Sequence, residues 1–183
     1  MGWSSYDIYT SPKVECDRIL NQKTENYESK VLRSYMKGNI YYAAVSLKTQ
    51  EEECVYAAVF LTCYSPRAKK EFNFSIKEMD ETVGPCYYDF PEEYFKLLTP
   101  TNSQFAIEWR EKVKKAIERK KKLSKLKNGN KIKFKAIYEM TSGVKAGDEV
   151  ILVKQKKYFL YRNYWRWPKN LIPENFEIIK EDK

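Results

Sequence analysis

Three stretches of this chain hold the residue types that do chemistry. The first is acidic: Asp80, Glu81, Asp89, Glu92 and Glu93 stand close together in sequence. Clustered carboxylate oxygens suit a hard cation such as Mg²⁺, which would activate water for phosphodiester cleavage. No paired motif with a positioned lysine accompanies them, so two other readings stay open. One is a solvated turn followed by carboxylates facing a helix N-terminus; the other is an acidic surface at Asp80 and Glu81 that imitates phosphate and occupies a partner's basic groove. The second stretch is basic. Residues 112 to 127 hold Lys112, Lys114, Lys115, Arg119, Lys120, Lys121, Lys122, Lys125 and Lys127 against the single acid Glu118. Such a run neutralises phosphates and releases counterions without reading sequence, or it is a solvated helix whose cations suit the C-terminal end of the dipole. The third stretch, Tyr158 to Lys169, interleaves rings with cations: Tyr161, Arg162, Tyr164, Trp165, Arg166, Trp167 and Lys169. That composition stacks bases and clamps a backbone, unless the rings are the core of a small barrel.

Composition removes whole classes of mechanism. There is no histidine in 183 residues, which takes away the usual general base, the Ser-His and Cys-His pairings and the His-containing metal sites. Cys16, Cys54, Cys63 and Cys86 are not spaced as C-x-x-C, and the middle two lie in apolar strand-like runs. They read as reduced thiols of a cytoplasmic protein. No run is long and apolar enough to span a membrane, so no membrane partner is expected. Neither a cofactor nor a metal is called for. The net charge of +9 is unevenly spread: residues 1 to 111 carry 13 Lys/Arg and 17 Asp/Glu, while most of the excess lies in the 112 to 127 run. An acidic front and a basic back predict a polyanion bound at the back.

The elements that must position these groups follow from periodicity. Thr101 to Lys127 contains no Pro or Gly, and Phe105, Trp109, Val113, Ala116, Ile117 and Lys120 recur at helical steps, which predicts one long helix with a core-facing first half and a cationic second half. Thr99, Thr101, Asn102 and Ser103 offer capping oxygens at its start and Gly129 a stop. Ahead of it, residues 1 to 11 predict a short strand and Pro12 opens a helix to about Leu20. Residues 21 to 30 read as a loop, and Tyr27 to Met36 is indecisive. Ile40 to Leu47 and Cys54 to Tyr64 are β-rich runs, apolar on both faces, and predict a central hairpin covered on both sides. Phe72, Phe74 and Ile76 alternate as a third strand, and Pro91 starts a short helix through Leu98. Beyond Gly129, Ile132, Phe134, Ala136 and Tyr138 alternate with lysines, Gly147-Asp148 turns into Glu149 to Lys154, and Tyr158 to Arg162 and Ile178-Ile179 complete a set of short strands. Strands this short predict a small closed β architecture. The expected class is α+β: an antiparallel sheet with helices over residues 1 to 111, a basic connecting helix over 112 to 128, and a barrel over 129 to 183. Leu171-Ile172-Pro173-Glu174-Asn175-Phe176 is similar to the closing turn of SH3-type barrels, which implies a groove lined by a proline and an aromatic residue.

Met1-Gly2-Trp3, Asp80-Glu81, Gly84-Pro85, Pro91-Glu92, Leu97-Leu98-Thr99-Pro100-Thr101 and Glu108-Trp109-Arg110 together resemble an uncharacterised family of bacteriophages and integrative elements, over residues 1 to about 111. The resemblance implies a habitat, the cytoplasm of a bacterial host, and carries no functional residue with it. Small proteins of such elements often disable host nucleases. The expected function is therefore a non-enzymatic inhibitor of a host defence nuclease, of anti-CRISPR or anti-restriction type, that binds the effector or its guide or target nucleic acid. A general DNA- or RNA-binding regulatory module and a Mg²⁺-dependent nuclease are the alternatives.

Overall fold

The computed structural model describes residues 3–6, 10–64, 74–79, 81, 87–140 and 143–179. The chain divides into two compact units, Met1–Val113 and Lys114–Lys183, in a mixed α+β fold with two antiparallel sheets.

The first unit is a six-stranded sheet. Its elements in chain order are β1 (Ser4–Tyr6), α1 (Pro12–Leu20), β2 (Gln22–Lys23), β3 (Tyr27–Lys37), β4 (Ile40–Thr49), β5 (Glu53–Tyr64), β6 (Phe74–Glu78), α2 (Glu92–Phe95) and α3 (Gln104–Ser124). The strands lie in the order β1-β6-β5-β4-β3-β2. β4 and β5 pair from Lys48↔Glu53 to Ile40↔Leu61 and form the centre of the sheet. Their runs Tyr41–Val45 and Ala57–Phe60 are buried on both faces, as continuous rather than alternating hydrophobicity requires. One face packs on α1, where Cys16 and Leu20 join Tyr41, Ala43, Val45, Ala58, Phe60, Phe74 and Ile76. α1 forms because Ser11 caps it, accepting a hydrogen bond from the Val14 N–H, and Pro12 presets the first turn. The opposite face meets an aromatic cluster in which Phe90 touches Tyr42, Tyr94 and Trp109 edge-on, at ring distances of 6.0, 6.2 and 5.3 Å. The Trp109 indole N–H donates to the Tyr87 carbonyl at 3.1 Å, so the largest buried side chain of the unit is also polar-satisfied.

Three expectations need correction here. Residues 21 to 30 are not a loop: β2 pairs with the start of β3 through Gln22↔Ser29. The indecisive stretch is strand, and its pattern is blurred because the register shifts between Val31 and Arg33; a bulge breaks the two-residue alternation. In α3 the core stripe is Ala106, Trp109, Val113, Ala116 and Ile117, whereas Phe105 is 63% exposed. The helix also runs three residues shorter at each end than the periodic stretch predicts. The strand positions Ile8, Tyr9 and Phe72 lie outside the described residues.

The second unit contains the last turns of α3, then β7 (Lys131–Lys135), β8 (Glu149–Gln155), β9 (Tyr158–Tyr161), β10 (Trp165–Trp167), a 3-10 turn at Lys169–Leu171, and β11 (Glu177–Ile179). The order is β10-β9-β8-β7-β11, all antiparallel. Its core joins Leu123 and Leu126 of the helix end to Ile132, Phe134, Val150, Leu152, Phe159, Trp167, Ile172 and Phe176. Among the described residues no helix is long and apolar enough to cross a membrane.

Candidate functional site

In the second unit, β9 and β10 pair through Tyr161↔Trp165, Arg166↔Leu160 and Trp167↔Phe159. The three-residue turn between them holds Arg162 and Asn163 at φ of 47° and 66°. Left-handed backbone at two consecutive non-glycine residues costs about 1 kcal/mol each or more and persists only where the surroundings impose it. The result is a presented cluster. The Arg162 guanidinium lies 5.1 Å from the Tyr161 ring and that of Arg166 lies 4.1 Å from Tyr158. Tyr164 and Trp165, 66% and 47% exposed, lean on each other with centroids 5.7 Å apart. Trp165 and Tyr161 share one face of the hairpin, whereas Arg166, opposite Leu160, lies with Tyr158 on the other; the two exposed rings beside the stacked Arg162 guanidinium make a surface on which a planar group can lie while its negative substituent is paired.

Trp167 does not belong to that surface. It is 6% exposed and packs edge-on against Phe134 and Tyr161 at 5.8 and 5.9 Å. The register explains why: Trp165 and Trp167 share a face by alternation, but Trp167 sits opposite the buried Phe159, and Trp165 opposite the half-buried Tyr161 at the strand end. The Trp167 indole N–H has no hydrogen-bond partner among the described residues.

Lys169 lies exposed in the 3-10 turn. Near it stands Lys154, which sequence reasoning passed over. The Lys154 ammonium sits 5.1 Å from the Phe159 ring, and burial, with Lys169 nearby, holds its pKa below the ordinary lysine value. The signal in the sequence was the register: Lys154 pairs with Phe159, so a lysine occurs where alternation asks for an inward residue.

The lysine-rich end of α3 belongs to the same unit from Lys114 onward. Leu123 and Leu126 face the core, while Lys115, Lys122, Lys125 and Lys127 are exposed and Arg119 half-buried. Lys122 reaches the Glu174 carbonyl at 3.4 Å. Lys114, Lys120 and Lys121 are exposed members of the same run. Lys112 falls in the first unit, its ammonium 5.4 Å from the Tyr88 ring.

Of the acidic candidates, Glu81, Asp89 and Glu92 are each engaged within the first unit. Asp80 lies outside the described residues. Glu81 is 1% exposed, and both of its oxygens are occupied. Arg110 Nε and Nη2 donate to Oε2 and Oε1 at 2.7 and 2.9 Å, and the Ala57 N–H donates to Oε1 at 2.8 Å. β6 covers only the Phe60–Tyr64 part of β5. The rest of that edge is closed by Glu81 at Ala57 and by Thr99, whose hydroxyl accepts from the Val55 N–H at 2.9 Å. Arg110 also donates to the Thr99 carbonyl. The pair is thus a bracket over an open strand edge, and it removes Glu81 as a partner-binding residue. Asp89 is paired with Lys37 and Glu92 with Lys96. No group of three or more His, Cys, Asp or Glu that could hold a metal occurs among the described residues.

Elsewhere in the first unit, Asp17 of α1 accepts from Lys13 at 2.8 Å and from the Tyr41 hydroxyl at 2.6 Å. Burial pushes its carboxyl up, but the hydrogen bonds from Lys13, Tyr41 and Ser34 outweigh burial and hold it below the ordinary value. Cys16, Cys54 and Cys63 are free thiols. Burial first, then Asp17 and Glu15, push Cys16 up to about 12, so it is a packed and unreactive thiol.

A domain of unknown function (DUF6927) matches residues 100–167, which takes in α3 and the strands through the end of β10. No curated protein and no solved structure matches the chain. Over those residues the chain is similar to a family whose printed description assigns no activity.

Proposed function

We propose that this is a non-enzymatic protein whose second unit binds single-stranded nucleic acid. The observation that carries the reading is the β9–β10 hairpin. Exposed Tyr164 and Trp165 adjoin Arg162, which is stacked on Tyr161, with Arg166 on the other face of β10, in the same compact unit as the lysine-rich end of α3. Stacking on such rings is tolerant of base identity and the lysines add charge that is equally indifferent to sequence, so the recognition is of a strand rather than of a motif. We further propose an SH3-like barrel for this unit. The strand order β10-β9-β8-β7-β11 and the 3-10 turn before the last strand support it.

The resemblance of residues 1 to 111 to phage and integrative-element proteins supports a use for such binding: covering the guide or target strand of a host defence nuclease in the bacterial cytoplasm. The acidic-mimic route to the same end is weakened by the burial of Glu81. The experiment is fluorescence anisotropy of the full chain with single- and double-stranded oligonucleotides across a salt series. Four or five phosphates engaged predict a slope of log K against log salt of about −3 for a single strand, from roughly 0.7 per phosphate. Trp165→Ala lowers affinity with the slope kept, since stacking is removed; Lys115→Glu with Arg119→Glu lowers both. Affinity that is absent at low salt, or unchanged by all three substitutions, overturns the proposal. Protection of the bound strand from cutting by a defence nuclease then tests its use.

A further inference from the structure

The six-stranded sheet curls so that its two edge strands, β1 and β2, both reach one space. A cavity of about 440 Å³ lies there, within the range of roughly 300–1,000 Å³ that small-molecule sites occupy. Its floor is the face of the sheet that packs on α1. Tyr27 and Ser29 continue the two-residue alternation through Val31, and Tyr56 and Phe60 continue that through Ala58. α1 ends at Leu20, and the part of that face beyond the helix is left to line the cavity.

The walls differ in what their polar groups are already doing. On the side of β2 and β3 the lining side chains are engaged with their own surroundings. The Ser29 hydroxyl donates to the Leu20 carbonyl at 2.6 Å and accepts from the Gln22 N–H at 3.3 Å. The Gln22 amide donates to the Ile19 carbonyl at 2.8 Å and accepts from the Tyr27 hydroxyl. This wall is fixed, and what it still offers a ligand is the lone pairs of the Tyr27 oxygen. On the side of β1, Ser4 and Tyr6 line the same cavity, and neither hydroxyl has a hydrogen-bond partner among the described residues. The rings of Tyr6, Tyr27, Tyr56 and Phe60 supply the aromatic part of the lining from three different strands.

We propose that this cavity binds a polyhydroxylated ring, of which a neutral pyranose sugar is the type, with its face on the rings and its edge on the hydroxyls of Ser4, Tyr6 and Tyr27. A wholly apolar ligand would cover the Ser4 and Tyr6 hydroxyls without giving them a partner, at a cost that offsets the stacking. An open-chain polyol would satisfy the hydroxyls, but it has no face to lay on the rings and loses more freedom on binding. A pyranose does both. Its hydroxyls project around its edge, and its ring C–H groups, slightly positive, form a flat apolar face that fits the negative face of an aromatic ring. The contacts invoked are hydroxyls and rings, so the recognition requires no charge on the ligand.

Isothermal calorimetry on the full chain tests it with uncharged probes: the methyl glycosides of glucose, galactose and mannose, cyclohexylmethanol and erythritol. The best of the glycosides binds with Kd on the order of 1 mM. The ring without hydroxyls and the polyol without a ring each bind at least about tenfold weaker, since each forgoes one of the two kinds of contact. Tyr6→Phe removes a hydroxyl and keeps the ring; it weakens the glycoside about two- to tenfold and leaves cyclohexylmethanol unchanged. Tyr27→Leu keeps apolar bulk but loses the flat face and the oxygen, and weakens the glycoside further. Tyr138→Phe, at an exposed ring of the second unit, changes neither probe. No glycoside binding by about 10 mM, cyclohexylmethanol that binds as tightly as the best glycoside, or a glycoside indifferent to both Tyr6→Phe and Tyr27→Leu in variants with wild-type circular dichroism, overturns the proposal.

Discussion

The bracket of Glu81 and Arg110 over the β5 edge allows a quantitative test of how the first unit is closed. Glu81→Gln keeps a carbonyl oxygen for the Ala57 N–H but leaves Arg110, whose side chain is 13% exposed, without its counter-charge. The residual solvent access places the cost at about 2–3 kcal/mol, at the low end for removing one member of a buried pair. Arg110→Met is worse, about 3–5 kcal/mol, because the Glu81 carboxylate is more deeply buried and the Thr99 carbonyl also loses a donor. The double variant leaves no buried charge and keeps Ala57 satisfied, so it costs about 2 kcal/mol or more less than the sum of the singles. Urea denaturation gives the three values. Hydrogen exchange gives the local reading: Ala57 stays protected in Glu81→Gln and loses protection in Glu81→Ala, where its donor is orphaned at a further cost of about 1–3 kcal/mol. Singles that add within about 0.5 kcal/mol, or an Ala57 amide whose protection is the same in both Glu81 variants, would refute the bracket.

Two further outcomes follow from the site. Asp17 is held below its ordinary pKa in the folded state, so the stability it contributes is present above its unfolded value and is lost as pH falls through the folded one; Asp17→Asn should therefore destabilise at pH 6 and converge on wild type as pH falls below the ordinary carboxylate range, and a gap by thermal denaturation that does not narrow with acid would exclude the linkage. Trp167→Ala should cost about 3–5 kcal/mol in urea, as a buried ring, whereas Trp165→Ala should stay within about 1 kcal/mol; the reverse order would mean that the register of β9 and β10 is misread.

What was legible in the chain was whatever depends on near neighbours in sequence. The β4–β5 hairpin, α1 behind Pro12 and the turn into β8 are each specified by residues adjacent in the chain. The α3 stripe was read in nearly the right phase; Phe105 and Ala106 flank Trp109 at four and three residues, and periodicity does not say which one meets the sheet. The smaller residue does, leaving the larger in solvent. Glu81 illustrates what was out of reach. Its partners, Ala57 and Arg110, lie 24 and 29 residues away, so an acidic turn and a buried bracket look alike until the β5 edge is seen to outrun β6.

The uneven charge bears on the proposed strand binding. Residues 112 to 127 carry nine Lys/Arg against the single Glu118, while residues 1 to 111 are net acidic, so the cations that a polyanion would pair lie in one stretch of the chain. Binding through them would release several counterions and weaken steeply with salt. Raising salt from 50 to 200 mM should thus weaken strand binding about sixtyfold at the slope of −3, and a loss of less than about threefold would refute a reading carried by those lysines.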